Sequence, residues 1–152
     1  MVTLLFVMIL MYIIIFTVGF ISYAFNSIGL NKLAKREGKA SAFLAWIPYL
    51  NNYTLGRIAF KSNKHAIAMT ALGVFSLIFL IAMFFVDLSM FYTLAIASFI
   101  FSAISSVYNF IAHYKVYAKY SKSTILMTVL DVISFGILGP FFIFAIRNND
   151  KK

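Results

Sequence analysis

Apolar residues along this chain gather into four long blocks, 2–25, 65–86, 89–112 and 123–146, parted by short polar stretches. A helix rises about 1.5 Å per residue, so about 20 apolar residues cover a hydrocarbon core about 30 Å thick. Each block is long enough to cross. In hydrocarbon every backbone N–H and C=O must find a partner within its own segment, which predicts helices. The alternation of a membrane β-barrel is absent. Only Asp87 and Leu88 separate the second block from the third, so these two are expected to form a tight helical hairpin. The expected fold is an all-α integral membrane protein: a single membrane domain, built as a bundle of three to four transmembrane helices plus a Pro-broken interfacial or re-entrant segment.

That segment is 40–60, with FLAWIPYLNNYTLGRIAFK at its heart. It is too apolar for a solvated loop. Pro48 interrupts it by removing a donor and crowding the preceding turn. Asn51 and Asn52 are placed to satisfy the backbone groups so freed. Beyond the break, Thr54, Arg57, Lys61 and Lys64 share one helical face, and Tyr53, Leu55, Ile58 and Phe60 fill much of the rest. A basic face opposite an apolar one describes an in-plane helix. Trp46, Tyr49 and Tyr53 suit the headgroup zone, where amphipathic rings concentrate. Trp46, Pro48, Asn51, Asn52, Tyr53, Arg57 and Lys61 are thus the expected interfacial anchor. A kinked ordinary span is the alternative.

Charge changes the picture by adding orientation. Basic residues cluster at Lys32, Lys35, Arg36 and Lys39, at Arg57, Lys61 and Lys64, at Lys115, Lys119 and Lys122, and at Arg147, Lys151 and Lys152. Short basic loops stay in the cytoplasm. With the N-terminus outside, the first block delivers the first cluster inside, the Asp87 turn lies outside, and the third cluster is inside. The clusters on both sides of 40–60 then want one face, so that segment lies in the interface or enters and returns. The last block poses the same problem. A full crossing strands Arg147, Lys151 and Lys152 outside, whereas a reversal at Gly136, Gly139 and Pro140 brings them back. Both readings stay open. A faint repeat accompanies this pattern. In each half an apolar helix leads into a basic stretch, NKLAKREGKAS and then YKVYAKYSKST, and a proline-broken segment follows. Lys32 aligns with Lys115 and Lys39 with Lys122 at one constant offset; the later exits do not keep it. Transporters often contain such repeats.

Composition narrows the chemistry. Of 152 residues, 63% are hydrophobic and the net charge is +9, against about 45–50% apolar in soluble domains. The excess charge flanks apolar blocks, so a lipid bilayer with anionic headgroups is the expected partner and nucleic acid is not. No cysteine is present, which excludes disulfides, thiolate metal sites and a cysteine nucleophile. With four acidic residues, carboxylate-rich metal or hydrolytic sites are poorly supplied. No catalytic, cofactor or metal site is expected. The first block lacks a basic start, and its apolar core exceeds the usual 7–15 residues of a signal peptide, so it reads as a retained span despite a faint Ser22-Tyr23-Ala24 cleavage pattern.

Asp131 is the most informative residue. It lies about 12 Å into the fourth block by helical rise. A carboxylate there is costly and should face protein or water. Thr124, Thr128 and Ser134 share its face. The third block carries a second stripe, Ser98, Ser102, Ser105, Ser106, Asn109 and His113, at spacings of three or four. If the two helices pack antiparallel, His113 and Asn109 approach Asp131 or the threonines near it. A proton or cation path would use such groups. Polar stripes also glue membrane helices together.

Ala45-Trp46-Ile47-Pro48, then Asn51 or Asn52, Tyr53 and Gly56-Arg57-Ile58-Ala59, follow a lysine-rich turn. In this the chain resembles a family of small bacterial membrane proteins with an A-W-I-P-x-x-N-x-Y segment and a G-[KR]-I-A exit. The likeness covers about Ile28–Lys64 and, more loosely, Tyr114–Asp150. It implies a membrane protein with no assigned activity and no catalytic residues. The expected location is the bacterial cytoplasmic membrane, multi-pass, N-terminus outside. Three functional readings follow. The first is a small non-enzymatic accessory or assembly subunit in export, immunity or envelope stress, acting with a membrane-protein partner or as a homo-oligomer. The second is a small oligomeric ion- or proton-coupled transporter or channel using Asp131. The third is a holin-like membrane-active protein.

Overall fold

The computed structural model describes residues 2–151, and the side chains of all of them except 2–4, 40 and 41. It is all-helical among the described residues. The long helix α1 spans Val2–Arg36, and a 3-10 helix follows at Ala40–Trp46. Next come α2 (Asn51–Phe60), α3 (Asn63–Ala82), α4 (Leu88–Tyr120), α5 (Thr124–Ile133) and α6 (Gly139–Ile146). Three stretches are long and apolar enough to cross a membrane: Leu5–Arg36, Asn63–Phe85 and Leu88–Tyr120. The protein is therefore a multi-pass membrane protein.

Two of the blocks are shorter than the helices they seed. Residues 2–25 continue as helix to Arg36, and 89–112 continue to Tyr120. Basic side chains do not stop a helix that already has its backbone bonds, and those at a C-terminal end favour it by charge. The join between α3 and α4 is the expected tight turn. A short 3-10 turn, Met83–Phe85, leads to Asp87, whose carbonyl accepts from the amides of Met90 and Phe91.

The segment 40–60 is a hairpin of two short limbs. The first limb runs back along α1: Asn31 Nδ2 donates to the Ala42 carbonyl at 3.0 Å, and Tyr23 Oη donates to the Trp46 carbonyl at 2.5 Å. Tyr23 and Arg36 are thirteen positions apart on α1, so the tip lies about 20 Å from the basic end. The chain then turns. Ile47 is extended, as the residue before a proline prefers, and Tyr49 takes φ 65°. The second limb, α2, returns alongside α3. Near the tip, Tyr49 and Asn52 lie against Gly73; near the exit, Gly56 presses on Ala66 so closely that a Cβ there would sit 2.7 Å from the Ala66 Cα. Gly56 is small because two backbones meet at that point.

The face of α2 expected to meet water is partly covered by the bundle. Thr54, assigned to the polar face, is 0% exposed, and Leu55 and Ile58 beside it are buried. Packing against α3 and α4 takes the place of a water-facing side. Trp46 and Tyr49 sit at the hairpin tip, half-exposed, far from the end where Lys39 and Lys61 lie.

The last block reverses as well. It is not one span, because α5 has only ten residues, about 15 Å of rise against the about 30 Å needed. After a turn at 134–138, α6 begins with Pro140 in its first turn, where a missing N–H costs nothing. It runs back to the end where α4 finishes: Asn149 Nδ2 donates to the Tyr120 carbonyl at 3.0 Å, and Arg36 Nη1 donates to the carbonyls of Arg147 and Asn149 at 3.2 and 2.6 Å. Lys152 lies outside the described residues. The four basic clusters thus meet at one end. Glu37 ties that end together, accepting from Lys119 and from Tyr120 Oη at 2.5 Å, with Lys151 Nζ at 3.9 Å.

The core sits in the basic-end half, among Leu30, Leu33, Ile58, Met69, Val116, Tyr117, Ile143 and Ile146. In the opposite half α3 and α4 pack together, with Ser76 and Ser102 hydroxyls 2.5 Å apart. There α1 stands exposed from Leu5 to Phe20.

Candidate functional site

The polar residues of α4 and α5 meet where the second hairpin lies against α4. Asp131, one turn from the end of α5, is 1% exposed. Its Oδ2 lies 2.7 Å from His113 Nδ1 and accepts from Tyr117 Oη at 3.0 Å. Its Oδ1 is buried without a hydrogen-bond partner. The α6 backbone closes on the pair at Gly139, where a Cβ would stand 2.6 Å from His113 Cε1 and 2.8 Å from Asp131 Oδ1. No side chain fits there.

The approach of His113 to Asp131 follows from the antiparallel packing expected of the two helices. Tyr117 is the missing third member. It stands one turn beyond His113 and continues the α4 stripe at the spacing of four, which is the signal that could have found it. Asn109 does not reach Asp131; its Nδ2 donates to the Ser105 carbonyl at 2.9 Å. The hydroxyls of Thr124, Thr128 and Ser134 serve local backbone. Thr124 donates to the Tyr117 and Ser121 carbonyls, Thr128 to the Thr124 carbonyl, and Ser134 donates to the Asp131 carbonyl while accepting from the Leu138 amide. These groups stabilise the entry and the turn of the hairpin and do not extend the carboxylate cluster.

The α4 stripe divides in two. Ser98 and Ser102 face α3, where Ser98 donates to the Ser76 carbonyl at 3.2 Å. Ser106, Asn109 and His113 instead line a cavity of about 240 Å³ between the two hairpins. Its other walls are Asn26 of α1, Asn52 and Leu55 of α2, and Phe110, Phe135, Gly136 and Pro140. Asn26 Oδ1 is buried with no hydrogen-bond partner. An apolar cleft of about 500 Å³ between α1 and the α5–α6 turn adjoins this chamber, sharing Phe135, Gly136 and Pro140 with it. Asn26 was not singled out from the sequence, and Asn52 was read as an interfacial residue. Of the anchor set, Pro48, Asn51 and Tyr53 belong to the first hairpin, with Tyr53 Oη donating to Asn63 Oδ1 at 3.4 Å. Arg57 is half-buried on α2, and Lys61 ends that helix in a left-handed turn.

Chemically, the arrangement offers a buried carboxylate–imidazole pair at the edge of a small amide- and hydroxyl-lined chamber. Among the described residues no three His, Asp or Glu side chains converge as metal ligands. Comparison with protein-family models, curated proteins and solved structures finds no match for this chain.

Proposed function

We propose that this protein is a small, non-enzymatic membrane transporter or channel whose working site is the chamber between the two hairpins. The observation that carries this reading is the Asp131–His113 pair, buried at the edge of a cavity that amides, a hydroxyl and the imidazole share with apolar side chains. An ionisable group at such depth is costly, and in membrane proteins it characteristically lines a path or binding site. Broken helices supply such sites in transporters, because their tips leave polar backbone beside the solute. The walls offer amide, hydroxyl and imidazole groups and suit a small hydrogen-bonding solute or cation. The one-ended charge supports a cytoplasmic basic end, with both hairpins entering and returning from that side. The resemblance to small bacterial membrane proteins favours a bacterial cytoplasmic membrane.

The test is flux in proteoliposomes. Asn109→Leu, which replaces a polar wall with an apolar one, and Asp131→Asn should each abolish proton or cation flux while leaving the detergent-extracted protein folded. Absence of flux in the wild type, or flux unaffected by both changes, rejects the reading.

One observation favours a partner-bound role instead. The outer half of α1, Leu5–Phe20, is exposed throughout, a whole helix surface for a second membrane protein. Mild extraction that recovers a defined partner, cross-linked through a cysteine placed at Tyr12, would support an accessory subunit in place of a transporter.

A further inference from the structure

The repeat seen in the lysines extends through the structure. FNSIGLNKLAKREGKAS, Phe25–Ser41, aligns without gaps with YNFIAHYKVYAKYSKST, Tyr108–Thr124. Asn26 pairs with Asn109, Ile28 with Ile111, Lys32 with Lys115 and Lys39 with Lys122. The architecture repeats too: α1 followed by the first hairpin, then α4 followed by the second, with α3 between them. Contacts are exchanged reciprocally. The returning limb of each hairpin packs on the long helix of the other half, α6 on α1 and α2 on α4. Phe25 stacks on Phe144 of α6 at 4.5 Å, and its counterpart Tyr108 meets Phe60 of α2 at 6.4 Å. Asn26 and Asn109, at equivalent positions, wall the one chamber between the halves.

The halves differ where it matters. In the alignment His113 falls opposite Leu30, and Tyr117 opposite Ala34. Leu30 and Ala34 are both 0% exposed. At these two positions of the long helix the first half buries apolar side chains, where the second half buries an imidazole and a phenol against an acid. The desolvation of that cluster is a cost that the first half does not carry at the equivalent positions.

We infer that Asp131, His113 and Tyr117 form a proton-binding site installed in one half of an internally duplicated scaffold, opening through His113 onto the chamber at the junction of the halves. With His113 neutral and Asp131 ionised the cluster carries one negative charge. One bound proton, shared between Nδ1 and Oδ2, brings it to zero, and Tyr117 Oη donates to Oδ2 throughout. The charged and titratable groups on the other helices packed against α4 are Tyr53 and Arg57 on α2 and Lys64 and His65 on α3. α5 packs on α4 and α6 alone, and α6 carries no titratable residue. On α4, Lys119 is committed to Glu37, and Lys115 lies over the Phe60 ring. The proton enters from the chamber, because His113 is the member of the cluster that lines it. This site draws its purpose from the transport reading but not its existence, so proton binding is measured apart from flux.

The experiment is potentiometric titration of the full chain in detergent between about pH 8 and pH 5. The triple variant His113→Leu/Tyr117→Phe/Asp131→Leu replaces the whole cluster with apolar side chains. It should retain helical content and elution volume and take up one proton fewer than the wild type. Equal uptake overturns the inference. Should the triple variant fail to fold, the near-isosteric Asp131→Asn decides. A folded Asp131→Asn with the proton lost upholds the site; wild-type uptake, or failure of this variant to fold as well, overturns it. Proton loss in a protein that shows no flux would uphold the site and sink the transporter.

Discussion

Glu37 shows how a single carboxylate fastens the basic end. Its side chain is 3% exposed. Burial on its own raises the carboxyl, but hydrogen bonds from Lys119 and Tyr120 and the charges of Lys119 and Lys151 outweigh it and hold it below the ordinary value of 4.5. A carboxyl lowered by folding contributes stability that is present above its unfolded value and lost as pH falls through the folded one. Glu37→Gln should therefore destabilise at neutral pH by about 1–2 kcal/mol. The gap to the wild type, followed by thermal unfolding in micelles, should close as the pH falls below 4.5. At Gly139 the constraint is steric. A methyl would stand 2.6 Å from His113 Cε1, so Gly139→Ala should cost about 1–3 kcal/mol through overpacking, whereas Tyr117→Phe should cost about 1 kcal/mol for one hydrogen bond. Asp131 and His113 were legible in the sequence, because an ionisable group inside or at the edge of an apolar block stands out. Tyr117 was not, since a tyrosine near a helix end reads as a headgroup anchor. Asn26 was hidden for a related reason: it lies beside the polar end of its block, where an amide needs no explanation.

Among the elements, long apolar periods made α1, α3 and α4 readable, and their true ends were not. Apolarity marks where lipid is, while a helix continues wherever its backbone bonds can close. The two broken segments were readable as departures from a span, through Pro48 and through the Gly136–Pro140 turn. Composition left the first departure open between an interfacial helix and a segment that enters and returns. Thr54 and Arg57 look water-facing on a helical wheel, yet α2 is covered by α3 and α4. What selects the hairpin is small-residue contact between sequence-distant partners, which no local period records. Gly56 is the sharpest case. Gly56→Leu should force α2 away from Ala66 and release the first hairpin. Limited proteolysis of detergent-solubilised protein should then cut between Lys39 and Lys61 at least tenfold faster than in the wild type, while α1 and α4 stay intact. Unchanged cleavage would show that α2 does not depend on that close approach.

For the molecule as a whole, one-sided charge and two-sided hairpins are the same fact seen twice. Helices α1, α3 and α4 set two opposite ends. Each hairpin has to begin and finish at the basic one, because Asn31 and Tyr23 hold the inward limb of the first and Asn149 and Arg36 hold the outward limb of the second. A bilayer around this shape would meet the α3–α4 turn on one side only. The absence of native cysteine makes that directly measurable. Single cysteines at Lys39, Lys61, Lys122 and Asp150 should all react with a membrane-impermeant maleimide from one face of right-side-out and inverted vesicles, and a cysteine at Ser89 from the other. Positions 39 and 61 are the critical pair. If they label from opposite faces, the Pro48 segment crosses the membrane, and the chamber bounded by Asn26, Asn52 and Asn109 does not exist in the bilayer. If they label together, and 122 and 150 do likewise, the duplicated arrangement of one spanning helix and one returning hairpin holds for both halves.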